Sequence, residues 1–358
     1  SSCTAVTGAS GSFRLQTLSV ALLLACAVPA YANPTGGAVT AGSASIAGGA
    51  GNMTINQTTQ NVAINWQSFG INAGESVQFV QPGSTSVALN RVVGSDPSNI
   101  FGSLSSNGKV FLLNPNGVLF GQGASVNVGG LVASTLALSD ANLMSGNYTF
   151  SGAGTGSVVN QGTINAADGG FVTLLGATVS NQGVISAQLG SVALAAGNAV
   201  TLDIAGDKLL NVHVTQGAVN ALVENGGMLR ADGGQVLMTT QTAASLLSNA
   251  VNNTGVVQAQ TLQNIDGTIK LLGGMDTGTM AVGGKLDASA PNGGKGGFIE
   301  TSAAQVHVAP SVQVTTAAAN GASGTWLIDP QDFVIGSAPG NNIAGSTLSA
   351  QLVTTSVT

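Results

Sequence analysis

Charge is what this chain has least of. Asp, Glu, Lys and Arg make up 6% of its 358 residues, against roughly 25% in ordinary globular domains. The net charge is −6, and the basic residues are scattered from Arg14 to Lys295 without forming a patch. Phosphate backbones are held by clustered cations, so nucleic acid is excluded as a partner. Aromatic residues are also scarce, at 4%. Long hydrophobic runs are missing apart from one near the start, so low charge does not signal a bundle of membrane spans. Cysteine occurs only at Cys3 and Cys26.

Both cysteines fall in a segment, residues 1–32, that reads as a signal peptide. Arg14 precedes an apolar core at residues 18–28, which is too short to span a bilayer comfortably. Ala30-Tyr31-Ala32 places small residues where signal peptidase cuts, between Ala32 and Asn33. Leu23-Leu24-Ala25-Cys26 loosely resembles a lipoprotein cleavage box, a rival reading with a poorer fit at Leu24. Cleavage after Ala32 leaves no cysteine, hence no disulfide, and stability must come from backbone ladders. The chain starts without Met and stops inside a Ser/Thr-rich run, as a fragment of a longer protein would.

What is abundant is glycine, 52 residues, together with Val, Ala, Thr and Asn. That mixture points to many short strands and tight turns. In residues 33–91, Met53/Ile55, Val62/Ile64/Trp66, Val77/Phe79 and Val87/Leu89 alternate with mostly polar neighbours, as strands do. A single helix is expected before residue 150, at residues 136–144.

Beyond residue 157 a repeat emerges, and repeats outrank local assignments. Asn-x-Gly recurs with an apolar residue two places on and Ala two further. Asn160 precedes Gly162/Ile164/Ala166, and Asn181 precedes Gly183/Ile185/Ala187. Asn225 precedes Gly227/Leu229/Ala231, and Asn253 precedes Gly255/Val257/Ala259. A second alternating strand follows each: Val172/Leu174, Val192/Leu194, Val236/Met238 and Ile269/Leu271. A weaker copy holds Leu286, Ala288 and Ile299. About twenty residues with two short strands and two turns describe one coil of a β-solenoid. The longer interval from Asn181 to Asn225 then counts as two coils. The recurrent Asn is expected to form a side-chain ladder. The less regular residues 33–90 suit an end cap, and residues 201–214 suit an inserted hairpin or an irregular coil.

Between cap and repeat stands Asn114-Pro115-Asn116-Gly117, flanked by the apolar runs 110–113 and 118–120. Asn at the first position bonds its own backbone, Pro presets φ, and Gly closes the turn. The unalternating runs suggest strands buried on both faces.

Few residues suggest chemistry. Asp168, Asp232, Asp266 and Asp287 sit singly at repeat corners, where turn carboxylates facing water are expected. His213 and His307 alternate outward without neighbouring ligands. Asp329 and Asp332 share a loop broken by Pro330. No nucleophile elbow, phosphate loop or metal-ligand cluster is visible. No catalytic activity, metal or cofactor is therefore expected, and a surface-held polysaccharide lyase remains the weakest alternative.

Residues 33–214 resemble the N-terminal secretion domain of filamentous-haemagglutinin-type proteins, exported by Gram-negative two-partner secretion systems. The resemblance is carried by INWQSFGINAGESVQFVQP (residues 64–82), VALNRVVGSDPSNIFGSL (87–104) and GKVFLLNPNGVLFGQGASVNVGGLVAST (108–135). Asn114, Pro115, Asn116 and Gly117 match the family's secretion motif residue for residue. The second Asn-Pro-Asn-Leu tetrad of some members is absent. GGFIETSAAQVHV and GTWLIDPQDF resemble segments that follow this domain in large adhesins. The resemblance implies an all-β fold, a right-handed parallel β-helix with an N-terminal cap. It implies a secretion domain at 33–215, further solenoid repeats at 216–320 and the start of another region at 321–358. It also implies a partner, an outer-membrane β-barrel transporter with periplasmic docking domains, and a final location outside the cell or on its surface. A surface adhesin of unknown receptor is the leading expectation. The alternative is the same export domain carrying a contact-dependent inhibitor or a cytolysin.

Overall fold

The computed structural model describes residues 33–358, apart from residues 50, 153, 205–209, 245–249 and 339. The segment read as a signal peptide, with both cysteines and Ala32, lies outside the described residues.

The chain winds into a parallel β-helix with three faces per coil, where the sequence suggested two strands. In one coil, Thr178–Asn181, Val184–Ser186 and Ser191–Ala196 take the first, second and third face. The extra strand escaped notice because the strands on either side of the Asn-x-Gly corner are only three or four residues long. The first face is an eight-stranded parallel sheet, and the other two merge into one sheet. They merge because Ser125–Ser134 and Thr163–Gly176 bend through the corner between them. Side chains of equal phase stack in columns along the axis. On the third face Val62, Ala88, Val110, Leu131, Val172, Val192, Val236, Ile269, Ile299 and Trp326 follow one another in register. Each is fully buried, so mostly aliphatic side chains close-pack the interior, with the Trp326 ring at the far end of the column.

The N-terminal end is closed by two antiparallel strands. Ala38–Ala41 lies on Asn61–Trp66, and Ala44–Gly49 lies on Asn52–Gln57. From Asn52 onward the pairing is parallel, so the cap is shorter than the expected residues 33–90. The Asn114–Gly117 corner therefore lies within the coils, not ahead of them. The interval from Asn181 to Asn225 is one coil plus an insertion, since Thr178–Asn181 pairs directly with Leu222–Asn225. The insertion contains the expected hairpin: Ala199–Asp203 and Asn211–Gln216 pair antiparallel, and Tyr148–Ser151 joins them as a third strand. Thr325–Asp329 continues the third face past residue 321. At the last rung of the second face, Val314 N donates to Gln351 Oε1 of helix α2 (Gly345–Gln351) at 2.8 Å.

A second apolar core lies outside the coils. Leu89, Phe111, Val132 and Leu175 project outward from the third face and are covered by helix α1 (Asp140–Ser145) and the three antiparallel strands. Phe111 meets Tyr148 edge-on at 5.5 Å and Phe150 at 6.1 Å. This explains why residues 110–113 are buried on both faces. It also reverses one alternation: Val87 and Leu89 face the outer core, while Asn90 points inward and accepts from Trp66 Nε1 at 2.9 Å. The helix starts later than residue 136 because Ser139 caps it, accepting from Asn142 N at 3.2 Å. Leu136 and Leu138 lie ahead of the helix and feed the outer core.

Candidate functional site

The Asn114-Pro115-Asn116-Gly117 corner joins the third face to the first. Gly117 N donates to Asn114 O at 3.0 Å, closing the turn. Asn116 N donates to Asn114 Oδ1 at 3.0 Å, so the Asn114 side chain mimics a backbone turn. Gly117 has φ 118°, a conformation that disfavours any side chain. These are the bonds the sequence called for.

What the sequence did not show is that Asn114 also bolts one coil to the next. It is fully buried. Its Nδ2 donates backward to Asp96 O at 2.9 Å and Ser98 Oγ at 3.1 Å, and its N donates forward to Ser134 O at 2.9 Å. Pro115 and Asn116 stand on the exposed side, and Asn116 Nδ2 donates to Gly94 O at 3.0 Å. The corner thus has a buried half that fixes the coils and an exposed half that a partner could touch. Of its flanks, residues 118–120 alternate, with Leu119 half-exposed, instead of being buried on both faces.

The Asn-x-Gly corners join the first face to the second and form the expected ladder. Asn160 Nδ2 donates to Asn181 Oδ1, Asn181 to Asn225 and Asn225 to Asn253, each at 2.8 Å. Asn253 Nδ2 ends the series on Gly283 O at 2.7 Å. All four amides are buried, and a fully satisfied buried chain of this kind specifies register. Glycine is required beside them, since a side chain at Gly183, Gly227 or Gly255 would overlap the carbonyl of Gly162, Gly183 or Gly227 below.

An earlier ladder went unread. Gln81 Nε2 donates to Gln57 Oε1 at 2.9 Å, and Ser106 Oγ donates to Gln81 Oε1. The recurrence of Gln at an interval of 24 residues was the available signal, obscured by the irregular turns around it.

The corner acids divide. Asp168 is exposed, and Asp266 is half-buried beside Lys295 at 2.9 Å. Asp232 and Asp287, expected to face water, are buried. Asp232 accepts from Arg230 Nε at 2.6 Å, from Gln258 Nε2 at 3.0 Å and from Gln260 N at 2.9 Å. Asp287 accepts from Lys285 Nζ at 2.8 Å and from Ser289 Oγ at 2.6 Å. Gln260 Nε2 links the two coils by donating to Asp287 Oδ2 at 3.1 Å. Burial works to raise the Asp287 pKa, but the hydrogen bonds from Lys285 and Ser289 and the Lys285 charge outweigh it and hold the carboxyl below its usual range. Every oxygen of the pair has a partner, so these acids clamp coils together. His213 is exposed and His307 half-buried, on separate sheets. Asp329 and Asp332 are both exposed. Among the described residues no group of three or more His, Cys, Asp or Glu is arranged to hold a metal.

Comparison with known proteins agrees with this architecture. Residues 30–288 match the TPS secretion domain family. A heme/hemopexin-binding protein of Haemophilus influenzae strain Rd is 36% identical over 236 residues, covering 61% of this chain and 25% of that protein. A second Haemophilus influenzae heme/hemopexin-binding protein is 33% identical over 288 residues, covering 72% of this chain and 30% of that protein. The chain therefore spans less than a third of the length of these relatives. The crystal structure of the HMW1 secretion domain from Haemophilus influenzae superposes with a TM-score of 0.72 at 30% identity, covering 83% of this chain and 76% of that one. The family match spans the residues of the inserted hairpin and the Asn ladder alike, and this protein belongs to the TPS, or two-partner secretion, domain family.

Proposed function

We propose that the chain carries the export signal of a two-partner secretion exoprotein. A dedicated outer-membrane β-barrel transporter with periplasmic docking domains recognises it, and the chain folds coil by coil outside the cell. The observation that carries this reading is the family match over residues 30–288. A solenoid without disulfides suits such a route, because it can pass as an extended chain and each coil then contacts only its neighbours. Expression of the mature chain with and without the transporter, followed by assay of the medium, tests it; undiminished secretion without the transporter overturns it.

Within this reading the Asn114–Gly117 corner acts chiefly by fixing the fold. Asn114→Ser removes both Nδ2 bonds to the preceding coil, so it probes folding. Asn116→Ala removes one exposed bond and is the cleaner probe of recognition. Normal secretion of a folded Asn116→Ala protein supports the structural role, whereas a folded variant that stays in the periplasm moves the role to direct contact.

The full-length protein is proposed to be a surface-exposed binding protein that catalyses no reaction, an adhesin of the filamentous haemagglutinin type. The names of the curated relatives favour a second reading, capture of heme or hemopexin. Binding of the full-length exported protein to hemin, to hemopexin and to host cells separates the two. A toxin carried on the same export domain would instead reveal itself by inhibiting neighbouring cells.

A further inference from the structure

The elements outside the coils are held differently from the coils they cover. Lys109–Leu113 on the third face lies between two parallel neighbours, Val87–Val92 and Ser125–Ser134. The covering strands pair chiefly among themselves: Tyr148–Ser151 and Asn211–Gln216 flank Ala199–Asp203 in a separate three-stranded sheet, and Ser151 adds one isolated bridge to Ala137, just before α1. Side chains of the outer core and a few polar latches join this cover to the coils. Arg91 donates to Leu138 O and Asp140 Oδ1, both at 2.7 Å. Asn61 Nδ2 donates to Leu143 O at 3.4 Å, and Leu210 N donates to Ser191 Oγ at 3.1 Å.

The cover is also assembled from two distant pieces. Its first strand precedes, and its other two follow, the coil strands from Ser157–Asn160 to Ser191–Ala196. Until those intervening coils are in place, Tyr148–Ser151 has only its single bridge to Ala137 and lacks its ladder to Ala199–Asp203.

We infer that α1 and the three antiparallel strands form one cover that opens and closes as a unit over a β-helix that is already stacked. Short strands place the small sheet at the low-stability end of the molecule: one edge is bridged only at Ala137–Ser151, and among the described residues no strand pairs beyond Asn211–Gln216, while the doubly paired coils beneath hold the high end. Opening uncovers Leu89, Phe111, Val132 and Leu175, a stripe of apolar side chains on the third face. The inference rests on the fold and stands whether or not the chain is exported.

Amide hydrogen exchange on the whole chain, with Cys3 and Cys26 replaced by serine, tests it. The amides of the three covering strands exchange at a common rate, about tenfold or more above those of Lys109–Leu113. Thr149 and Thr201 face each other with their hydroxyls 3.4 Å apart, so a Thr149→Cys/Thr201→Cys pair ties the first strand to the second. On oxidation, exchange in Asn211–Gln216, which carries neither cysteine, slows in step with the other two strands and recovers on reduction. Covering amides that exchange in step with the coils, or a third strand that ignores the disulfide, overturn the inference.

Discussion

The coils before residue 240 and those after it solve the same problem in different ways. One column on the outer side of the third face runs Ala63, Leu89, Phe111, Val132, Thr173, Ala193, Leu237, Lys270, Glu300 and Leu327. Through Leu237 the column is almost wholly apolar and lies within the outer core. At Lys270 and Glu300 it becomes an ion pair at 3.4 Å with both side chains partly exposed. The N-terminal coils are thus clamped by a hydrophobic layer on the outside. Polar ladders at the corners begin in those same coils, at Asn160 and Asp232, but from Asn253 and Asp287 onward they act without the outer apolar layer. The difference teaches that stacking alone does not hold a charge-poor solenoid; each region adds a second set of bonds along the axis.

The comparison breaks most severely at Phe111. Phe111→Ala empties the outer core where two rings meet it, and a loss of about 3–5 kcal/mol is expected, measured by denaturant unfolding of the mature chain. Asn181→Ala comes next. It leaves Asn160 Nδ2 with only its longer bond to Gly162 O at 3.3 Å and the side-chain carbonyl of Asn225 without its donor, for a loss of about 2–4 kcal/mol. Protection in hydrogen exchange then falls in the coils around residues 160–256 while the cap remains unaffected. Replacing all four ladder amides by Val leaves no ladder amide unmet, and it costs much less than four times the single change, with Gly162 N and Gly283 O losing their partners.

Acid sharpens the contrast. The Asp287 pKa is depressed in the folded chain, so its contribution is present above the ordinary Asp value and is lost as pH falls through the lower, folded value. The C-terminal coils therefore loosen below about pH 4, and Asp287→Asn removes this pH dependence; stability measured between pH 2 and 7 checks it. The smallest effect is expected at Lys270→Ala, about 0–1 kcal/mol, since the pair with Glu300 is partly solvated.

The coil was legible in the sequence wherever one side of a strand met the interior and the other met water. Ile164, Ile185, Leu229 and Val257 lie in the core as their spacing indicated, and the Asn column followed from its repeat. The same logic failed at Val87 and Leu89, where a second apolar layer inverts what alternation means. It failed again at Asp232 and Asp287. Each has local partners two residues away, Arg230 for Asp232 and Lys285 and Ser289 for Asp287, but the bonds from Gln258 and Gln260 come from a neighbouring coil. For the Asn114 corner, the local turn could be read directly. Its bonds to Asp96 and Ser98 could not, because they depend on which coil lies beneath.

The rungs of the Asn ladder are 21, 44 and 28 residues apart along the chain, yet each bond has the same length. At the four Asn-x-Gly corners the turn into the second face is always two residues, and only the later turn between Val308 and Gln313 is longer, at four, whereas the turn out of the third face grows to admit α1 in one coil and the hairpin in another. The stacked glycines act like the thread of a screw, setting the pitch while leaving the length of each turn free. Foreign segments can therefore be spliced at the outgoing corner without disturbing the thread, and the Asn-x-Gly corner is where even one added residue would strip it.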